Sequence, residues 1–417
     1  MNIYNLTIDQ LTYEGYGALR KDDKLILVEN ALIGENVDVF IYKKTKKIYY
    51  AKVINFNTKA ANRIIEDSIL LQSGAALISN ISYQDQLNFK NEYISYLFKR
   101  NLDVIPCKII PSDKQWNYRN KITAFCKILD KKITFFLKKK NSNELIRTNE
   151  FILAYQEINN LLNKLNEYEW DFDKDIINSI TIRSNHTQDQ FQILFEIDKK
   201  YPKLINQIKN IFKLDLNIKS IGYKYKNKIE SVYENGFEMN IDQYKFNVDL
   251  NSFFQINIEQ TLKIYTKIKQ FIEAKGAKNI LDLFCGVGSI GIFVTKDNLT
   301  GVEIVSQAIE NAKINAIKNG VKSAKFISEN EADLDIDFSK FDFIILDPPR
   351  LGVSSKNIRK INQSKVKYIA YLSCDIRTQV RDLKQLSSYR IIEVIPYDMF
   401  PQTPHIESLC FLEKIEQ

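Results

Sequence analysis

The chain has 417 residues, 45% of them hydrophobic, and a formal net charge of +8. That length exceeds one ordinary core and predicts two or three domains; no apolar run approaches the roughly 18 residues of a membrane span. Two histidines exclude a histidine-rich metal site, and five cysteines with no Cys-x-x-Cys pair argue against a zinc ribbon or a disulfide scaffold.

Scattered thiols of this kind fit a reducing cytoplasm, and the opening "MNIYNLTIDQL" lacks the basic region and apolar core of a secretory signal. The excess of Lys and Arg suits a polyanionic partner such as nucleic acid.

Residues 1–57 contain five short strand-like runs, with turns at "EGYG" and "IGEN". They predict a small antiparallel barrel of the OB type. Within it "YKKTKKIYYAK" interleaves basic and aromatic residues, as nucleic-acid surfaces do, though a charged hairpin tip has the same composition. Residues 58–250 read as a mixed α+β domain. A helix near 83–100 places Leu87, Ile94 and Phe98 at helical spacing, and "KITAFCKI", "KITFFLKK", "ITIRS", "FQILFEI" and "SIGYKYKN" read as strands.

The pattern changes in residues 251–417. "IEQTLKIYTKIKQFIEAKG" is an amphipathic helix stopped by Gly276, and strands then alternate with helices as far as the helix over 375–386. Two strands close the chain with no helix between them. The alternation predicts a Rossmann-like parallel sheet covered on both faces, with an antiparallel edge.

"DLFCGVGSIG" places Gly286, Gly288 and Gly291 between a strand and a helix, and Glu303 ends the next strand, where a carboxylate can grip a ribose diol. An NAD-dependent oxidoreductase and an S-adenosylmethionine methyltransferase share these features, because both ligands carry adenosine. "IILDPPRLG" favours the second: Asp347 stands at the lip of the crevice, and Pro348 and Pro349 stiffen the turn, which suits holding the edge of a nucleobase.

Cys374, in "YLSCDIRTQVRDL", lies where a strand ends and a helix begins, with Arg377 and Arg381 nearby. Helix amides and these cations would favour its thiolate. A thiolate that adds to carbon 6 of uracil makes carbon 5 nucleophilic toward a methyl donor, and a base must then remove the carbon 5 proton. "MFPQTPHIESL" offers Glu407 or His405 as that base. A Cys374–His405 hydrolase dyad would leave the glycine loop and Asp347 without a role.

The stretches "NSFFQIN", "DLFCGVGSIG", "GVE", "LDPPRLG", "YLSCDIRTQVRDL" and "MFPQTPHIES" resemble, in order, the RNA uracil-5-methyltransferases. The N-terminal unit looks like the RNA-binding TRAM barrel of the ribosomal-RNA branch. The resemblance implies S-adenosylmethionine as donor, Cys374 as nucleophile and Glu407 as proton acceptor. It places Gln255, Phe284, Glu303 and Asp347 around the donor and the target base, with Ser289 and Asn330 at further contact positions; Ser289 stands where some relatives have Asn.

Many relatives hold a four-iron cluster on cysteines. Here Ser73 and Ala76 occupy two of those places and "RTNEFIL" has no cysteine, so no cluster is expected. The expected activity is formation of 5-methyluridine in RNA, 23S ribosomal RNA first and transfer RNA as the alternative, with no membrane and no protein partner.

Overall fold

The computed structural model describes residues 3–65, 68–172, 176–215 and 217–416; residues 1 and 2 of the expected barrel lie outside them. In the first unit β1 (Ile3–Thr7), β2 (Gln10–Leu11), β3 (Gly17–Lys21), β4 (Lys24–Glu29), β5 (Asn36–Lys44) and β6 (Ile48–Thr58) form one sheet, in the order β1-β5-β6-β4-β3-β2. Only Ile8 and Asp9 separate β1 from β2, yet these strands end the order on opposite sides, so the sheet curls until its edges meet. The seam is closed by Ile8 N–H to the Glu35 carbonyl (2.9 Å) and Asp9 N–H to the Ala18 carbonyl (3.2 Å).

Six strands replace the five expected because "IYNLTIDQLT" breaks at Ile8, whose side chain is buried while its amide turns toward Glu35. Nor is the barrel wholly antiparallel. The chain reverses twice between β4 and β6, so these neighbours run parallel. The segment after the barrel is tied back by a buried ion pair, Arg63 Nε to Glu35 Oε1 at 2.5 Å.

Two helices follow, α1 (Ile69–Ser73) and α2 (Tyr83–Leu102). Leu87, Ile94 and Phe98 are buried as their spacing predicts. The core they join is that of the C-terminal sheet, against which α2 lies as a strut.

The central sheet comprises β7 (Lys121–Leu129), β8 (Lys132–Lys138), β9 (Leu145–Arg147), β10 (Ile177–Ser184), β11 (Phe191–Ile197), β12 (Ile218–Tyr225) and β13 (Lys228–Glu234). Two helices, α3 (Gln156–Glu167) and α4 (Pro202–Asn210), supply Leu161, Leu165, Leu204 and Ile208 to its core. The sheet runs β13-β12-β11-β10-β7-β8-β9. The hairpin β14 (Glu238–Ile241) and β15 (Tyr244–Asn247) packs instead into the C-terminal core through Met239, Ile241 and Phe246.

The C-terminal unit opens with α5 (Ile258–Lys275), ended by Gly276 at φ +64°. Then come β16 (Asn279–Leu283), α6 (Ser289–Val294), β17 (Asn298–Glu303), α7 (Ser306–Lys318), β18 (Ser323–Ser328) and β19 (Phe343–Leu346). The chain finishes with α8 (Ser355–Gln363), β20 (Tyr368–Ser373), α9 (Ile376–Gln385), β21 (Tyr389–Tyr397) and β22 (Glu407–Lys414).

The order is β18-β17-β16-β19-β20-β22-β21. Strands up to β20 are parallel, and β22 inserts antiparallel between β20 and β21. The order reverses between β16 and β19, so their carboxyl ends open a crevice there. Among the described residues no helix is long and apolar enough to cross a membrane.

Candidate active site

At the end of β16 the chain makes the glycine turn. Asp282, almost fully buried, accepts a hydrogen bond from Gly291 N–H at 3.0 Å through Oδ2, while its buried Oδ1 has no partner. A Cβ at Gly291 would lie 2.6 Å from Leu299 Cδ1 and 2.9 Å from Asp282 Oδ2, so a side chain there would push both groups aside. Phe284 is half-buried at φ +67°, a conformation that costs a non-glycine residue about 1–3 kcal/mol and that clusters at functional sites.

Glu303, ending β17, reaches back to accept Gly286 N–H (3.2 Å) through one oxygen and Val305 N–H (2.9 Å) through the other. Glu303 thereby ties the glycine turn to the end of β17 and sets its carboxylate beside the crevice. Ser289 Oγ lies 2.9 Å from the Tyr265 hydroxyl on α5. Asn330 is exposed just beyond Ser328, the register partner of Glu303. Gln255 precedes α5, and its carbonyl accepts from Asn120 Nδ2 at 2.8 Å.

Three candidate groups stand on neighbouring strands. Asp347 follows β19, Cys374 follows β20, and Glu407 begins the antiparallel β22, so all three meet at one edge of the sheet. Burial pushes Asp347 up to about 7. Burial, and then the nearby Asp347, pushes Glu407 well above the usual carboxylate range. Burial also raises Asp282 to about 8.

Cys374 corrects one expectation. Its thiol is pushed up to about 11, by burial first and then by Glu407, with Arg350 pulling the other way. The helix amides do not reach it because Asp375 is the N-cap of α9 and takes the N–H groups of Arg377 and Thr378. Arg377 pairs with Asp375 (3.2 Å) and Glu14 (3.4 Å), and Arg381 with Asp382 (2.6 Å). Arg350, inside the quoted "LDPPRLG", is the cation that sequence reasoning overlooked.

His405 is a poor base: burial, Arg350, Lys90 and Arg119 hold it down to about 4. Its ring lies against Tyr13 and Phe400, with centroids 6.1 and 6.2 Å away. The loop carrying it is fixed by α2. Lys90 Nζ meets Asp398 at 2.5 Å with both side chains fully buried, Tyr83 donates to Asp398 at 2.7 Å, and Gln86 donates to Gln402 at 2.8 Å. Sequence separation hid these contacts.

Ser73 and Ala76 sit in a tight turn. Ser73 Oγ donates to the Leu70 carbonyl at 3.1 Å, and Ala76 packs with Tyr118 and Leu153.

The strand order, with its antiparallel insertion, the glycine loop, and the carboxyls of Glu303 and Asp347 at the crevice are those of a Rossmann-like methyltransferase. The sequence model described as tRNA (Uracil-5-)-methyltransferase matches residues 82–415, and the chain belongs to that family. It is 29% identical to an uncharacterised RNA methyltransferase of Staphylococcus aureus (strain COL), covering 97% of this chain and 96% of the other. A counterpart from Lactobacillus johnsonii is 29% identical over 100% of this chain and 99% of its own. Among solved structures, the tRNA (uracil-54, C5)-methyltransferase of Pyrococcus abyssi, in complex with S-adenosyl-L-homocysteine, superposes with a TM-score of 0.79 at 24% identity, over 98% of this chain and 99% of that one.

Proposed function

We propose that this enzyme forms 5-methyluridine in RNA, using S-adenosylmethionine, with Cys374 as nucleophile and Glu407 as the final base. The observation that carries the reading is the meeting of Cys374, Asp347 and Glu407 on adjacent strand ends beside the glycine turn.

The donor fits the charge of the crevice. Asp282, Glu303, Asp347 and Glu407 gather there, and among the described residues none of them forms an ion pair. Burial holds Asp282, Asp347 and Glu407 above the usual carboxylate range, and a ligand with a cationic sulfonium and ammonium favours their ionised forms. S-adenosylmethionine, when bound, provides an electrophilic methyl group. Glu303 suits the ribose hydroxyls, Phe284 and Asp282 border the turn, and Gln255, Ser289 and Asn330 complete the set assigned to donor contact.

The residues then divide the work. Cys374 first loses its thiol proton to solvent and its Sγ then adds to carbon 6 of the uracil; carbon 5, now with enolate character, takes the methyl group as the donor's S–CH3 bond breaks and leaves the neutral thioether. Glu407 removes the carbon 5 proton, and the electron pair of that C–H bond restores the double bond as the thiolate leaves. Burial raises the Glu407 pKa, so the group must first give up its own proton; once ionised, the desolvated carboxylate is a stronger base for that last step. Arg350 is placed to stabilise the thiolate, and Asp347 borders the target base.

We assign 23S ribosomal RNA as the first substrate on the strength of the N-terminal barrel. Transfer RNA is the second reading, favoured by the Pyrococcus abyssi relative, a transfer-RNA enzyme matched over 98% of this chain, barrel included. Nucleoside mass mapping of both RNA classes, from cells with and without the gene, decides. Loss of 5-methyluridine from one class identifies it, and unchanged 5-methyluridine in both overturns the reading.

A further inference from the structure

A second cleft, of about 350 Å³, lies between the central sheet and the segment preceding α2. Leu70, Ile122, Leu137, Phe151 and Leu153 make its wall apolar, while Arg119 and Lys121 enter it at the start of β7, and no Asp or Glu lines it. Among the described residues the Lys121 ammonium has neither an ion pair nor a hydrogen bond, and burial, then the neighbouring Arg183, pushes it down to about 8. Arg183 is itself buried, bonded to Gln192 at 3.0 Å and to the carbonyls of Asp249 and Ser252, with its Nε unpartnered.

Positive charge held in an apolar cleft without a counter-charge is a cost to folding, and such costs are characteristic of binding sites. The cleft also adjoins the candidate active site. Asn120, between the two cations, donates its N–H to the Ile256 carbonyl (3.0 Å) and its amide to the Gln255 carbonyl (2.8 Å). Ile256 is part of the cleft, and Arg119 is one of the charges acting on His405. Leu70 of α1 and Ala75 of the turn after it form part of the apolar wall.

We propose that this cleft is a second nucleotide subsite, which takes an unstacked base of the substrate RNA on the Phe151 wall and the adjoining phosphate on Arg119 and Lys121. Its volume lies within the range of small-ligand sites, and RNA enzymes read splayed bases by stacking combined with phosphate contacts. The assignment rests on the RNA methyltransferase reading and adds to it a nucleotide beside the target uridine.

The test compares Lys121→Met with the wild-type enzyme by melting temperature, S-adenosylhomocysteine binding, RNA affinity against salt, and photo-crosslinking of RNA containing 4-thiouridine. The variant removes a buried unpaired charge, so its melting temperature is expected to hold or rise. Donor-product binding stays unchanged. RNA affinity falls about tenfold, and the salt slope shrinks by about one counterion. Crosslinks in the wild type map to the peptide containing Phe151.

Unchanged RNA affinity and salt slope in Lys121→Met, with wild-type enzyme that methylates RNA, overturn the subsite and leave the methyltransferase reading standing. Wild-type enzyme that binds S-adenosylhomocysteine but no RNA overturns both. Protection of Lys121 from amine modification by uridine monophosphate but not by RNA overturns the assignment to the RNA chain.

Discussion

Cys374 shows how burial and charge compete at a single atom. Its pKa of about 11 leaves little thiolate at neutral pH in the free enzyme, so the proposed mechanism requires the thiol to lose its proton as RNA and donor bind. Arg350 is the group that opposes burial there. Arg350→Ala is expected to lower the rate of adduct formation at pH 7 by one to two orders of magnitude, with partial recovery at higher pH and rescue by Lys; a pH–rate profile reads it. The order of steps separates the two reacting groups. Cys374→Ala should bind RNA and donor yet form no covalent species. Glu407→Gln should accumulate a methylated protein–RNA adduct stable on a denaturing gel, because elimination waits for the carbon 5 proton. Normal turnover by Glu407→Gln would remove Glu407 from the mechanism. Asp347 gives a further test of the donor site. At about 7 it ionises as pH rises from 6 to 8, and a cationic donor prefers the ionised form. Affinity for S-adenosylmethionine should therefore climb across that window, more steeply than for the uncharged sulfur of S-adenosylhomocysteine, and Asp347→Asn should flatten it. Calorimetric titration at three pH values measures the effect.

At the scale of elements, the C-terminal sheet was legible because its central parallel strands are short apolar runs, such as Phe343–Leu346 or Tyr368–Ser373, in alternation with helices. The motifs also fall at strand ends, so Asp347, Cys374 and Glu407 could be placed from order alone. The middle was far less legible. β9 has only three residues, β13 has no fully buried position, and α4 begins at Pro202 with no capping hydrogen bond from a side chain. The hairpin β14–β15 takes its meaning from a core formed later in the chain. Contacts between distant elements leave no local signal at all, and the Lys90–Asp398 pair is the sharpest case. Removing one partner of such a pair strands a buried charge and typically costs about 3–5 kcal/mol. Lys90→Met is therefore expected to lower stability by that amount and to loosen the loop carrying His405 and Glu407. The double variant Lys90→Met/Asp398→Leu should recover most of the stability. Chemical denaturation of both proteins measures it, and a Lys90→Met enzyme as stable as wild type would show that the pair does not brace the loop.

At the scale of the whole molecule, the barrel is built into the methyltransferase unit rather than appended to it. Its turn places Tyr13 in the core of the methyltransferase unit, stacked on Tyr93 of α2 at 4.3 Å between ring centroids. The Arg377 guanidinium lies 5.7 Å from the Tyr13 ring, and its ion pair reaches the neighbouring Glu14. Removing residues 1–57 would take away more than the lysine-rich hairpin. It would open the wall behind His405 and Ile406, beside Glu407. Two variants separate packing from charge. Tyr13→Ala empties a buried aromatic site and should cost about 3–5 kcal/mol, whereas Tyr13→Phe keeps the ring and loses only a buried hydroxyl without a partner, so it should be close to neutral. Glu14→Gln breaks a half-exposed pair whose worth is about 0–1 kcal/mol. The turn is distant in sequence and in sheet order from the glycine loop, so S-adenosylhomocysteine should still stabilise folded Tyr13→Ala, while its methyl transfer to RNA falls. Transfer rates equal to wild type in folded Tyr13→Ala would show that the barrel turn supports stability alone. A fall restricted to transfer, with donor binding intact, would place the barrel in the wall of the target-base site.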